Sequence, residues 1–115
     1  MAETYRLTEY QFNWETGAIY WPAWIASPRY AAHRHRIAIL VDQMVRYDLA
    51  RDKFYRGELA RACDSLRDQL RADAKQNKQL RTQDYQGTQR FLVGLKYMPH
   101  LLDPNAADLV AMIGR

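Results

Sequence analysis

No proline occurs between Pro28 and Pro99. Proline removes an amide donor and breaks a helix interior, so this gap is where a helix can run. Inside it, Ile37, Val41, Met44, Val45 and Leu49 recur at spacings of three and four, the period of one helical face. A second stripe follows at Leu59, Cys63, Leu66 and Leu70. Ser27 is a good N-cap, and Pro28 suits the first helical position. The sequence therefore predicts a long helix over about 28–82. Gly57 is its candidate break, because glycine is costly in a helix interior and common at helix ends. Yet steps of three and four from Val45 pass through Leu49, Asp52 and Arg56 to reach Leu59, Cys63, Leu66 and Leu70. The phase carries through Gly57. That favours a continuous or kinked helix over two helices hinged near Lys53–Gly57. Past Leu70 the stripe fades, and Lys75–Gln79 is polar on all sides.

The flanks have different characters. Residues 1–27 hold all three tryptophans, Trp14, Trp21 and Trp24, and three of the eight tyrosines. Tyr10, Phe12 and Trp14 alternate with polar residues, and Glu15-Thr16-Gly17 can turn the chain, but an isolated hairpin is marginal in water. An extended or irregular aromatic arm is expected. In residues 84–115, Thr88 is a candidate cap for a helix with Phe91, Leu92, Leu95 and Met98, stopped by Pro99. Asp103-Pro104 then opens a short helix with Leu109, Val110, Met112 and Ile113. The expected fold class is all-α in one domain: an aromatic N-terminal arm (1–27), a long helical segment (28–83) and a C-terminal two-helix hairpin (84–115).

Composition supports a folded chain. Of 115 residues, 48% are hydrophobic and 26% charged, which excludes disorder over the whole length. Only five glycines and four prolines argue against a turn-rich β fold. The longest apolar run, Ile37–Val41, is far short of the ~20 residues of a membrane span. The first residues carry no basic stretch followed by an apolar one, so no secretory signal is expected. One cysteine, Cys63, permits no internal disulfide and fits a reducing compartment. The expectation is an intracellular protein, in the cytoplasm or on an organelle matrix side such as the mitochondrial one.

The chemistry-bearing residues form no catalytic constellation. His33 and His35 are two apart, which points them roughly 200° apart on a helix and fits no shared metal. Cys63 lies on the apolar stripe, where a thiol is a core residue. The five glycines are isolated, so no phosphate loop is present, and neither Gly-x-Ser-x-Gly nor His-Glu-x-x-His occurs. No catalytic, metal or cofactor residue is assigned, and an enzyme is not expected. The net charge of +4 is arginine-rich. Arg29, Arg34 and Arg36, clustered at the predicted helix start, are candidate anion contacts. Further along, Asp42–Arg46, Asp52–Arg56, Arg61–Asp64, Asp64–Arg67 and Asp68–Arg71 have the spacing of helix-surface ion pairs.

Length then bears on function. A helix over 28–82 would be about 80 Å long, far longer than a compact chain of this size, whose radius of gyration is about 13 Å. Such a helix needs a partner to cover its stripe. The expected function is a non-enzymatic accessory or scaffold subunit of a larger multi-protein assembly, an organellar complex being one setting. Trp14, Trp21, Trp24, Leu59, Leu66 and Leu70 are the expected partner-binding residues. The alternative is a small nucleic-acid-associated protein, such as a ribonucleoprotein component or a mobile-element regulator. A steep salt dependence of nucleic-acid affinity would separate that case. Peripheral membrane contact through the aromatic arm is a further expected partner class.

Overall fold

Two aspartates divide the helical segment. The computed structural model describes residues 6–76 and 83–102. In them the fold is all-α, as the sequence predicts, with helices α1 (Ala31–Arg46), α2 (Lys53–Gln76) and α3 (Gln83–Leu102).

The predicted continuous helix is thus two helices, and the break lies before Gly57. α1 ends in a left-handed C-terminal motif: Asp48 has φ 53°, and the Leu49 N–H donates back to the Met44 carbonyl at 2.9 Å. Asparagine and aspartate tolerate this conformation better than other non-glycine residues. α2 then opens on Asp52 as its N-cap. The Asp52 carboxylate accepts the N–H groups of Phe54 at 2.8 Å and Tyr55 at 3.3 Å. Arg56 Nε donates to the Ala50 carbonyl and ties the connection down. Gly57 sits inside α2, where an added Cβ would meet only the Arg61 guanidinium, at 3.5 Å. It makes no hinge.

The turn folds the stripe back on itself. α1 and α2 run antiparallel, since Arg29 reaches Asp73 while Arg36 reaches Glu58. α3 returns antiparallel to α2, with Arg67 donating to Gln89 at 3.2 Å and Lys96 to Asp64 at 3.1 Å. Between them lie Ile37, Val41 and Met44 of α1, Leu59, Cys63, Leu66 and Leu70 of α2, and Phe91, Leu92, Leu95 and Met98 of α3, all buried. The stripe that was expected to need another chain is covered by this one. The radius of gyration is 14.1 Å, near the compact value of about 13 Å. The 80 Å helix is overturned, and with it the argument from its length for a partner.

Several local expectations are corrected. Ser27 does not cap α1; it precedes a 3-10 turn at Pro28–Tyr30, and its hydroxyl donates to the Trp24 carbonyl at 3.4 Å. Thr88 is a buried residue inside α3, which begins five residues earlier, at Gln83. Pro99 does not stop α3, which continues to Leu102. A proline inside a helix deprives the carbonyl four residues back, here Leu95, of its donor. Burial of the Leu95 and Met98 side chains on the core favours the helix regardless. The second helix of the expected C-terminal hairpin, with Leu109, Val110, Met112 and Ile113, lies outside the described residues, as do Asn77–Gln79.

The arm packs on its own helices. A single antiparallel bridge joins Phe12 and Ile19, and the Asn13 N–H donates to the Ala18 carbonyl at 2.9 Å. Asn13 Oδ1 accepts the N–H groups of Glu15 and Thr16 and shapes the turn. Gly17 has φ 80°, and a Cβ there would stand 3.2 Å from Val45 Cγ2 on α1. A 3-10 turn at Ala23–Ala26 then leads across to α3. Trp21 meets the Phe91 ring at 5.9 Å, and Trp24 meets Tyr85 at 5.2 Å. Leu7, Phe12, Ile25 and Tyr30 are buried in the common core.

Two substitutions test the break. Asp48→Gly relieves a left-handed residue and is expected to raise stability by about 0.5–1 kcal/mol. In a continuous helix the same change would lower it by about 1 kcal/mol. Asp52→Ala removes the cap and is expected to cost ~1 kcal/mol. Urea titration reads both signs. The isolated chain is also expected to fold cooperatively, with blue-shifted, quench-resistant tryptophan emission. Leu66→Ala should destabilise it by roughly 2–5 kcal/mol. Red-shifted emission from a folded monomer would show that the arm is not packed as described.

Candidate functional site

The antiparallel seam of α1 and α2 concentrates the chain's polar side chains into two clusters. At one end Asp73 collects four donors. Arg29 binds it through Nε at 2.8 Å and Nη2 at 2.7 Å, Gln69 Nε2 donates at 3.1 Å, and the Tyr30 hydroxyl donates as well. The Arg29 guanidinium, with help from Tyr30 and Gln69, holds the Asp73 carboxyl well below the usual carboxylate range. Burial, then the hydrogen bond to Asp73, pushes the Tyr30 hydroxyl up. This cluster pins the start of α1 to the far end of α2.

Toward the other end, Glu58 is bracketed by two arginines, Arg36 at 2.8 Å from α1 and Arg61 at 2.5 Å from its own helix. The hydrogen bond from Arg61, reinforced by Arg36, lowers the Glu58 pKa. Between the two clusters lies a groove of about 520 Å³, lined by Ala32, His33 and Arg36 of α1 and Arg61, Ala62 and Ser65 of α2. The alanines keep its floor low, and the cations line its rim.

The three candidate anion contacts are all engaged within the chain. Arg29 holds Asp73, Arg34 donates to the Ile25 and Ser27 carbonyls, and Arg36 holds Glu58. Their clustering in sequence serves three separate internal attachments. Of the expected helix-surface pairs, Asp42–Arg46 forms at 3.2 Å, whereas Arg61 turns to Glu58 and Asp64 crosses to Lys96 of α3.

The six expected partner contacts divide between the core and half-buried positions on it. Leu59, Leu66 and Leu70 are fully buried. Trp14, Trp21 and Trp24 are half-buried, each packed on the core. Trp14 stands edge-on to Phe12 at 5.0 Å, with Arg6 over its ring at 5.0 Å. Phe91 and Tyr85 of α3 cover one side of Trp21 and Trp24. Cys63 is buried, and burial pushes its thiol up to about 12, the state of an inert core residue.

What remains outside is a second aromatic set that the sequence did not single out. Tyr47 and Phe54, at the two ends of the α1–α2 connection, are 64% and 63% exposed. Tyr10, Tyr20 and Ile39 are also well exposed. Basic residues adjoin the connection: Arg46, Arg51 and Lys53 are all exposed. Tyr47 and Phe54 fall off both apolar stripes, and that was the available signal. Among the described residues, no group of three or more potential ligands could hold a metal, and no helix is long and apolar enough to cross a membrane. No family model matches the chain, and neither a curated protein nor a solved structure matches it.

The Asp73 cluster sets a pH dependence. Its carboxyl is lowered relative to the unfolded chain, so its contribution is complete above the unfolded value near 4. That contribution is lost as pH falls below this value toward the lower folded one. Tyr30 acts with the opposite sign: its raised hydroxyl favours the fold below about pH 10 and loses that contribution above. Asp73→Asn is therefore expected to lower the melting temperature at pH 7 and to flatten its fall between pH 5 and 2. An unchanged acid limb would exclude Asp73 as its source.

Proposed function

We propose that the chain is a non-enzymatic accessory subunit of a larger protein assembly, and that it binds an acidic partner surface through the α1–α2 connection. The supporting observation is the exposure of Tyr47 and Phe54 beside Arg46, Arg51 and Lys53. A folded chain normally leaves few large aromatics open, and tyrosine and arginine are enriched where partners bind. The net charge of +4 favours an acidic counterpart and its faster encounter. The buried stripe and the packed arm have no part in this surface. Nucleic acid is the weaker alternative, because Arg29 and Arg34 are engaged internally through two hydrogen bonds each.

The experiment is affinity purification from the native source with the wild-type chain and a Tyr47→Ala/Phe54→Ala variant as baits. Both positions are exposed, so the variant is expected to keep its melting temperature within a few degrees. A hot-spot pair costs more than 2 kcal/mol of binding, so recovery of the specific protein partner should fall at least tenfold. Recovery equal to wild type, or capture that nuclease abolishes, would overturn the proposal.

A further inference from the structure

Facing stretches of α1 and α2 leave a cationic groove that the core does not need. On α1, Ala32, His33 and Arg36 share one face; on α2, Glu58, Arg61, Ala62 and Ser65 share another. The hydrophobic contacts of the helix pair lie beneath, at Ile37, Val41, Leu59, Leu66 and Leu70. Ala32 and Ala62 hold the floor open where larger side chains would close it. The space, about 520 Å³, falls in the range of small-molecule sites.

We propose that this groove binds a small phosphate monoester, with Arg36 and Arg61 gripping the phosphate and His33 and Ser65 on its flanks. Two guanidinium groups from opposite walls already converge on one oxyanion, the Glu58 carboxylate, at 2.8 Å and 2.5 Å. Each reaches Glu58 through Nη2, and a guanidinium carries five N–H donors, so both retain donors for a second acceptor. Both arginines are more than 60% exposed and free to swing. Two positive charges against one negative leave a net positive site. A phosphate offers three acceptor oxygens to the two guanidinium forks, one more than a carboxylate, and so uses more of their remaining donors. The groove is much larger than a phosphate group, so an organic body belongs with it. Glu58 is the internal competitor: it holds the arginines in place while the groove is empty and yields one or both to the ligand.

Isothermal titration of the full chain with ribose 5-phosphate, inorganic phosphate and ribose tests the site. Saturable one-to-one binding is expected for ribose 5-phosphate, weaker binding for inorganic phosphate and none for ribose. Arg36→Gln and Arg61→Gln should each weaken ribose 5-phosphate at least tenfold, the usual scale for a charge-assisted contact. Arg46→Gln makes the same change of net charge away from the groove and should have less than a twofold effect. Glu58→Gln removes the competitor and should tighten binding severalfold. That gain would also hold if the arginine variants proved unstable. Non-saturating heats, equal losses from Arg46→Gln and Arg61→Gln, or no tightening in Glu58→Gln would each overturn the proposal. The aromatic surface at Tyr47 and Phe54 lies outside the groove, so either idea can fail without the other.

Discussion

The six residues from Tyr47 to Asp52 decide everything else about this chain. They reverse the direction of the helical segment and so bring one apolar stripe against the other. The energetics are one-sided. Holding Asp48 in the left-handed region costs on the order of 1 kcal/mol. The N-cap at Asp52 offsets a similar amount. Against this stands burial of Ile37, Val41, Met44, Leu59, Leu66 and Leu70, each contributing about 1.5–3 kcal/mol relative to exposure. A straight helix would avoid the small local cost and forgo the large burial.

The ionic contacts follow from the same reversal. Along one straight helix, arginines and aspartates can meet only neighbours three or four residues away. Once α1 and α2 lie side by side, Arg29 finds Asp73, forty-four residues on, and Arg36 finds Glu58. Arg34 turns the other way and fastens the arm through the Ile25 and Ser27 carbonyls. A basic cluster that reads as a binding surface in sequence becomes three attachments between segments. Exposed ion pairs are individually weak, typically 0–1 kcal/mol. Their role is to fix alignment between surfaces that the core holds together.

The all-α class and the buried stripe were legible because they depend on local periodicity. Ile37, Val41, Leu59, Cys63, Leu66 and Leu70 are core residues in any arrangement of these helices. The break was not legible, and the phase of the stripe shows why. Two helices that both face one core each carry the period, and a six-residue connection happened to preserve the count between them. Continuity of phase therefore could not tell one helix from two. Asp48 and Asp52 carried the signal, but an aspartate four residues before an arginine also reads as a surface pair, and Asp52 was assigned that role. Trp21 and Trp24 were recognised as needing cover. Their partners Phe91 and Tyr85 lie over sixty residues away, where no spacing rule applies. Pro99 misled because proline's local cost was set against helix propensity alone, without the burial of Leu95 and Met98 before it and the packing of Leu102 beyond it.

The two seams of α2 differ in a way that bears on where a ligand can enter. Toward α3, Leu92, Leu95 and Met98 close the contact in the interior, and Asp64–Lys96 bridges its edge. Toward α1, the outer edge is built from Ala32, Ala62 and Ser65, which are too small to fill it, and from arginines long enough to reach across. A close-packed edge could admit a ligand only by displacing core side chains, and dense interiors resist that. An edge spanned by exposed guanidiniums can open by rotating side chains alone. The hydrophobic layer below stays intact, because Ile37, Val41 and Leu66 have no exposed surface to lose. Occupation of the groove thereby leaves the packing of the bundle undisturbed. The Asp73 cluster, at one end of the same seam, keeps α1 in register while the middle of the seam responds.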